Sequence, residues 1–251
     1  MSDVSSTVWQ PPVATLRLLG GVDLQGLDRG VGDALLAQPK LVALLAYLAI
    51  AGAGRSWLRR DTLVALLWPE LDQAHARAAL RKAVHALRAA LGADALPGRG
   101  DEELRFADDV LACDVVEFTR QVERGFLAAA LELYVGELLP GFHLAGCVEF
   151  DRWLDQQRTE ARERAGASAW AMAQLFNDQE AFTRAGQWAR KAVQYSWDDE
   201  RTLRRALSLL DRVGDRAGAL RLYDEFARRL RVDFDAAPSP ETQALVAKFR
   251  A

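Results

Sequence analysis

Residues 73–93 combine an apolar stripe at helical spacing with a run of basic residues, and they include no Asp or Glu. A helix over residues 76–91 turns one set of side chains toward a core, at offsets of four, three and four: Leu80, Val84, Leu87 and Leu91. The rest of its surface carries Arg77, Arg81, Lys82, His85 and Arg88. A chain with this segment must pack one face of the helix and leave a basic face to solvent or to a polyanion.

The charge of this segment departs from that of the whole chain, whose formal net charge is −3. An ordinary solvated helix gains stability from opposite charges spaced three or four residues apart, and residues 73–93 offer none. Phosphate binding requires cations gathered on one surface and does not require a basic protein. The local pattern therefore favours nucleic-acid binding, although basic helix faces are usually only solvated. Arg55, Arg59 and Arg60 form a second, smaller cluster.

Length and composition indicate a globular protein of two domains. The chain has 251 residues, of which 50% are hydrophobic and 27% are charged. Residues 1–12 lack the apolar core of a secretory signal, and the longest apolar run, residues 41–51, is too short to span a membrane. Cys113 and Cys147 are too few for a disulfide framework or a zinc site, which fits a reducing compartment. We therefore expect a cytoplasmic protein without membrane association.

The first half has the element order of a winged helix-turn-helix. Short strands are predicted over residues 15–19 and 22–24, and glycines at positions 26, 30 and 32 predict loops after them. Helices are predicted over residues 39–51, 60–68 and 76–91, followed by a hairpin of strands around 104–106 and 110–113. We assign residues 1–12 to a flexible N-terminus and residues 13–112 to the winged helix-turn-helix domain.

The second half is predicted to be helical throughout. Helices are expected over residues 114–124, 128–139 and 148–164, and a repeat follows. A shift of 34 residues superposes Ala185 on Ala219 and Ala189 on Tyr223, and 34 is the tetratricopeptide period. The second copy predicts helices over 203–213 and 219–230, and a final helix over 241–250 closes the array. We assign residues 113–251 to an all-α, tetratricopeptide-like domain, which makes the fold class mainly α.

Catalysis, cofactor binding and metal binding have little support in the sequence. His75 and His85 have no carboxylate or cysteine at metal-ligand spacing, and His143 is the only other histidine. No Gly-x-Ser-x-Gly or phosphate-loop motif occurs, and the early glycines fit no dinucleotide fingerprint. We therefore expect neither an enzyme nor a cofactor or metal site.

The first half resembles the DNA-binding half of SARP-type transcriptional activators, which are bacterial regulators with an OmpR-like winged helix. Residues 66–70, Leu-Leu-Trp-Pro-Glu, and residues 76–92 carry the resemblance. It implies that the basic helix enters the major groove and that the hairpin after it forms the wing. The residues implied in DNA contacts are Arg77, Arg81, Lys82, His85 and Arg88 in the basic helix, Arg59 and Arg60 at the preceding helix, and Arg99 and Arg105 in or beside the wing. Residues 101–103, Asp-Glu-Glu, depart from the family pattern at the wing tip.

The second half resembles the bacterial transcriptional activator domain that follows the winged helix in these proteins. The resemblance is carried by residues 134–141, by Trp153 with Arg158, and by residues 214–223 and 238–242. Together the two resemblances cover residues 13–250. They imply a sequence-specific activator that binds double-stranded promoter DNA at tandem direct repeats as two or more protomers, such as a homodimer, with RNA polymerase subunits as partners.

An alternative interpretation is a tetratricopeptide-type interaction or signalling scaffold whose winged helix no longer binds DNA. The acidic residues 101–103 and the negative net charge favour this interpretation. Stacked helix pairs commonly present extended surfaces for binding other molecules. Selection of genomic DNA fragments separates the two interpretations, because only a DNA-binding regulator enriches discrete promoters.

Overall fold

A computed structural model describes residues 12–250, so the predicted flexible N-terminus lies outside the described residues except for Pro12. The chain divides into two compact units. The first comprises Met1–Arg120 and Leu133–Arg158, and the second comprises Gln121–Glu132 and Thr159–Ala251. The expected domain boundary after residue 112 stays a prediction.

Short strands occur only in the first half of the described chain, and helices occur throughout. The strands are β1 (Ala14–Arg17), β2 (Asp23–Gln25), β3 (Leu58–Arg59), β4 (Gly98–Arg99), β5 (Glu103–Leu104) and β6 (Leu111–Cys113). The helices are α1 (Arg29–Leu36), α2 (Pro39–Ala51), α3 (Arg60–Leu67), α4 (Gln73–Leu91), α5 (Asp114–Glu123), α6 (Leu127–Leu133), α7 (Val148–Asp178), α8 (Phe182–Tyr195), α9 (Glu200–Arg212), α10 (Arg216–Phe234) and α11 (Pro240–Arg250). This order confirms the predicted mainly α fold class.

Two small sheets frame the helices of the first unit. In one sheet, β1 pairs antiparallel with β2 and parallel with β6. In the other, β5 lies between β3 and β4 and is antiparallel to both. The predicted hairpin of residues 104–106 with 110–113 is therefore wrong. The wing is instead the β4–β5 hairpin, which turns at Gly100 with a φ of 60°, while β6 pairs with an edge of β1 that would otherwise lack hydrogen bonds.

The loops predicted around the early glycines are also wrong, because α1 forms there. The Asp28 carboxylate accepts a hydrogen bond from the backbone N–H of Gly30 at 3.0 Å and caps the helix. Capping offsets part of the conformational cost of glycine in a helix. At Gly32 a Cβ atom would lie 3.3 Å from the backbone oxygen of Leu24. The small residue thus allows α1 to lie close against the end of β2.

The predicted trio of helices α2, α3 and α4 encloses the core of the first unit. Its fully buried side chains include Leu44, Leu45, Leu63, Leu67, Leu80 and Leu87. Burial of each such leucine contributes roughly 1.5–3 kcal/mol, so the packing of α4 on α2 and α3 fixes which of its faces remains exposed.

The family motif of residues 134–158 belongs structurally to the first unit. The ring of Trp153 lies 4.8 Å from that of Tyr47, measured between centroids. The Arg158 guanidinium donates hydrogen bonds to the backbone oxygens of Leu138 at 3.0 Å and of Phe142 at 2.9 Å. Arg158 therefore fixes the backbone of an irregular segment that would otherwise leave buried carbonyls unpaired.

The helix predicted over residues 128–139 ends early, at Leu133. The backbone N–H of Leu139 instead donates to the Leu18 oxygen at 2.8 Å, and Leu138 forms a bridge with Leu19. These strand-like hydrogen bonds compete with helix continuation, and Leu138 and Leu139 are fully buried as a result. Helix α7 departs in the other direction, since it continues to Asp178 beyond the predicted end at residue 164.

The second unit contains the helical repeat that the 34-residue period predicts. Alanines stand where neighbouring helices approach closely, and Ala173, Ala185, Ala189, Ala206 and Ala219 are fully buried. The Asp199 and Asp215 carboxylates cap α9 and α10 by accepting backbone N–H groups. The final helix α11 buries Val246 and Phe249 in the same core. The tetratricopeptide-like arrangement is thereby confirmed.

No single helix within residues 12–250 is both long enough and apolar enough to cross a membrane. The pair α1 and α2 meets that composition only when both are taken together across a bend of 97°. Most of α2 lies buried in the core of the first unit.

Candidate nucleic-acid interface

Helix α4 begins at Gln73, three residues before the predicted start. The Asp72 carboxylate accepts hydrogen bonds from the backbone N–H groups of Ala74 at 3.0 Å and His75 at 3.1 Å. The bond from the His75 backbone and that from its side chain lower the pKa of Asp72. The Asp72 carboxylate therefore serves as a helix cap, where a negative charge is favourable.

The face of α4 that turns inward is the predicted apolar one. Ala76, Leu80, Ala83, Val84, Leu87 and Leu91 are buried. The predicted basic residues Arg77, Arg81, Lys82 and His85 are exposed, whereas Arg88 is half-buried. The structure thus leaves a basic strip of α4 open to solvent, as the sequence predicts.

A groove of about 550 Å³ lies beside this strip, between α4, the start of α3 and the wing. The apolar residues Leu80 and Val84 line it together with six polar ones: Arg60, Arg77, Arg81, His85, Arg88 and Asp101. Five of the nine predicted DNA-contact residues therefore meet at one place. We call this feature the arginine groove.

Arg60 is the most constrained cation of the arginine groove. Its Nε atom is buried and has no hydrogen-bond partner among the described residues. Burial is the main cause that lowers the pKa of Arg60, and the nearby positive charges of Arg88 and Arg81 lower it further. The negative charge of Asp101 acts in the opposite direction. An unpaired guanidinium beside two like charges is destabilising for the protein alone and favourable for an anion that enters the groove.

Arg77 is held by a carboxylate of the neighbouring helix. Its Nη2 atom lies 2.8 Å from Oδ1 of Asp61, in the first turn of α3, and this hydrogen bond raises the pKa of Arg77. Both side chains are 44% exposed, so the pair lies at the surface and orients Arg77. The bond fixes a long side chain that would otherwise be mobile.

Arg88 connects α4 to the segment that leads into the wing. Its Nε atom donates to the backbone oxygen of Leu96 at 3.2 Å, and Nη2 donates to the same oxygen. Leu96 is fully buried, so this carbonyl needs a donor from within the protein. Arg88 therefore has a structural bond in addition to its place in the arginine groove.

Arg81, Lys82 and His85 differ from their neighbours in having no hydrogen-bond or ion-pair partner among residues 12–250. Lys82 and His85 follow Arg81 by one and four residues on the exposed strip of α4. Their donors remain available to a ligand, in contrast to those that Arg77 and Arg88 use within the protein.

The wing arginines lie outside the arginine groove and surround Trp57. The guanidinium carbons of Arg99 and Arg105 lie 5.3 and 5.1 Å from the ring centroid of Trp57. Arg105, with only 19% of its side chain exposed, also lies 2.9 Å from Asp108. Each cation–π contact contributes on the order of 0.5–2 kcal/mol. Trp57 is a structural residue of this surface that the sequence did not identify.

The acidic wing residues are largely compensated by neighbouring arginines. Glu103 accepts a hydrogen bond from Nε of Arg99 at 2.6 Å, and Glu102 lies 3.9 Å from Arg59. Asp101 is the carboxylate that lines the arginine groove. The acidic stretch therefore presents less free negative charge than its sequence suggests, although Arg59 and Arg99 are occupied in compensating it.

No group of three or more His, Cys, Asp or Glu residues that could hold a metal ion occurs in the described part of the chain. The thiols of Cys113 and Cys147 are both buried. Burial, with the nearby charge of Asp114, raises the pKa of Cys113 to about 12, so this thiol stays protonated and unreactive at neutral pH.

Comparisons with known proteins agree with this architecture. The family described as the bacterial transcriptional activator domain matches residues 113–250. A solved structure of Mycobacterium tuberculosis EmbR in complex with a low affinity phosphopeptide shares the fold, with a TM-score of 0.62 and 20% sequence identity. The match covers 94% of this chain but only 65% of the EmbR chain, so this chain spans less than two thirds of that protein. No curated protein matches the sequence.

Proposed function

The chain belongs to the bacterial transcriptional activator domain family, and from this premise we propose that it is a DNA-binding transcriptional regulator of the SARP type. The family match and the shared fold confirm the resemblance that the sequence motifs carry. The observation that supports DNA binding best is the arginine groove, where Arg60 has a buried Nε without a partner beside Arg81 and Arg88.

In this proposal, α4 enters the major groove of double-stranded promoter DNA. That groove is wide enough for a helix, and its base edges offer acceptors to arginine and lysine. Arg81, Lys82 and His85 contact bases or adjacent phosphates, because their donors are free and exposed. Sequence preference comes from the contacts that these residues make with base edges.

The remaining cations position the protein on the sugar-phosphate backbone. Arg60 and Arg88, the half-buried cations of the arginine groove, hold a phosphate there, while Arg77, oriented by Asp61, contacts the backbone beside it. Arg59, Arg99 and Arg105 contribute weaker, long-range attraction, since each lies beside a carboxylate of the protein. Binding that depends on phosphates in this way weakens steeply as salt rises.

The remaining parts of the proposal follow from the family resemblance. The promoter site is a tandem direct repeat occupied by two or more protomers, and RNA polymerase subunits are the partners that convert binding into activation. The protein acts in the cytoplasm and requires no cofactor. The helical repeat of the second unit holds protomers together or receives a signal.

A selection from random double-stranded DNA, followed by gel shift on the enriched site, tests the proposal. Arg81→Ala and Lys82→Ala should each weaken specific binding by about 1–3 kcal/mol where a base contact is lost. Arg231→Ala is the matched control, because Arg231 is exposed in the second unit. Failure to enrich any site, or equal binding by all variants, would exclude α4 as the reading helix.

The alternative of a protein-binding scaffold has one observation in its favour, the carboxylate of Asp101 in the arginine groove. One carboxylate faces four guanidiniums there, and Glu102 and Glu103 lie beside arginines of their own. The balance favours an anionic ligand. Enrichment of protein partners without any genomic DNA would reverse this preference.

A further inference from the structure

A second cationic groove lies wholly within the second unit, along α7, α9 and α11, and DNA binding makes no use of it. It encloses about 780 Å³. The cations Arg204, Arg205, Arg212 and Lys248 line it, together with the two carboxylates of Asp178 and Glu241. We call it the repeat groove.

The carboxylate of Glu241 has an ion-pair partner within the repeat groove. The Nη2 atom of Arg204 lies 3.2 Å from Oε2 of Glu241, and Nη1 lies 3.7 Å from Glu200. Arg212 donates to the uncharged amide oxygen of Asn177 at 3.2 Å. Of the four cations, Arg204 thus pairs with carboxylates, whereas Arg212 has a hydrogen bond only to an uncharged amide.

Arg205 and Lys248 have no carboxylate within ion-pair distance among the described residues. The guanidinium carbon of Arg205 lies 4.1 Å from the ring centroid of Trp170, which orients it without neutralising it. Burial, followed by the charge of Arg201, lowers the pKa of Arg205. Against the carboxylates of Asp178 and Glu241, the four cations leave the repeat groove with an excess of two positive charges.

The floor of the repeat groove also contains an unsatisfied donor. The Nε1 atom of Trp170 is buried and lacks a hydrogen-bond partner among residues 12–250. An indole N–H can only donate, and a buried donor without an acceptor is uncommon. Because this N–H is buried, it is closed to a ligand, and Trp170 serves the repeat groove through its ring, which orients Arg205.

The rest of the floor is apolar. The ring of Trp170 and the side chains of Leu209 and Leu245 line it, and Leu209 and Leu245 lie in or against the core of the unit. A peptide supplies carboxylates, carbonyl oxygens and apolar side chains together, which matches a groove that combines cations with an apolar floor.

We propose that the repeat groove binds an acidic peptide segment of a partner protein. Carboxylates of the peptide meet Arg205 and Lys248, and an apolar side chain packs over the ring of Trp170 and over Leu245. This site is independent of the DNA-binding proposal, because every residue that forms it lies in the second unit.

Selection of displayed random peptides on the whole chain tests this inference directly. The enriched peptides should be rich in Asp and Glu, and their affinity is then measured by fluorescence anisotropy. The double variant Arg205→Ala/Lys248→Ala should weaken binding by about tenfold or more through loss of two charged contacts. Arg231 is an exposed residue of α10 that does not line the groove. The variant Arg231→Ala should therefore bind the peptides as tightly as the unsubstituted protein does.

Trp170→Leu separates the groove from nonspecific attraction of acidic peptides. It keeps an apolar floor and every charge of the groove but removes the ring that orients Arg205, so affinity should fall while the salt dependence stays the same. The inference is wrong if the enriched peptides lack acidic residues, if the double variant binds them unchanged, or if duplex DNA displaces them from the original chain but not from Arg81→Ala. Thermal unfolding of each variant shows that the helices remain folded.

Discussion

The arginine groove of the first unit and the helix contacts of the second unit use the same residue, arginine, in opposite ways. In the arginine groove, Arg60, Arg81 and Arg88 crowd together around one carboxylate, and the buried Nε atom of Arg60 has no partner in the part of the chain that the structure describes. In the second unit, Arg190 bonds Asp215 and Arg204 lies beside Glu200 and Glu241. Both places are rich in arginine, and the difference lies in whether a carboxylate of the protein pairs with each arginine. Unpaired, crowded arginines indicate a binding surface, whereas paired arginines hold helices together.

The largest effect that this contrast predicts comes from reversing charge on the free strip of α4. Arg81→Glu/Lys82→Glu replaces two unpaired cations with anions, so the affinity for the selected DNA site should fall by about 3 kcal/mol or more, over a hundredfold. The free energy of unfolding should change little, because both side chains are exposed and have no partner. Gel shift and denaturant unfolding measure the two quantities, and a folded variant that binds normally would refute the role of α4.

Trp57→Ala should have an intermediate effect on both quantities. It removes the ring between Arg99 and Arg105 and frees the wing, which should lower the free energy of unfolding by about 2 kcal/mol. Affinity for DNA should fall by a smaller amount, since Trp57 positions the wing without lining the arginine groove. Trp57→Phe keeps a ring and should restore most of both losses. An equal loss for both variants would show that an aromatic ring between Arg99 and Arg105 is not what stabilises the wing.

The smallest predicted effect concerns pH and is confined to the second unit. Burial tends to raise the pKa of Glu200, but hydrogen bonds from Ser239 and Thr242 lower it overall. A lowered pKa in the folded state means that this stabilisation is present above the ordinary glutamate pKa and is lost as pH falls through the folded value. Hydrogen exchange in α11, relative to its intrinsic rate, should therefore rise only when pH falls below the ordinary glutamate pKa. Glu200→Gln should remove that pH dependence; if it persists, another group is responsible.

Local pattern is sufficient to predict α2, α3 and α4 together with the basic strip. The apolar spacing and the acid-free run determine α4, and the 34-residue period determines α9 and α10. Strands of two or three residues are too short to show the alternation of apolar and polar residues. For this reason the predicted hairpin of residues 104–106 with 110–113 is wrong. At α1 the glycine content predicts a loop, but the N-cap Asp28 stabilises a helix.

Pairings between distant residues could not be predicted. Asp61 and Arg77 are 16 positions apart, and nothing local to either residue identifies the other. The same holds for Trp57, whose two arginines come from the wing. Sequence therefore identified which cations exist, while only the fold distinguishes the free Arg81 from the occupied Arg105.

The most direct test of the contrast between the units is a paired measurement on Arg60→Ala and Arg204→Ala. Each variant is titrated against the selected DNA site by fluorescence anisotropy, and its unfolding is followed in parallel. Arg60→Ala should weaken DNA binding by about 1–3 kcal/mol with stability maintained, whereas Arg204→Ala should keep DNA affinity and lose about 0.5–1 kcal/mol of stability. Equal DNA affinity for Arg60→Ala and the original chain would contradict the account.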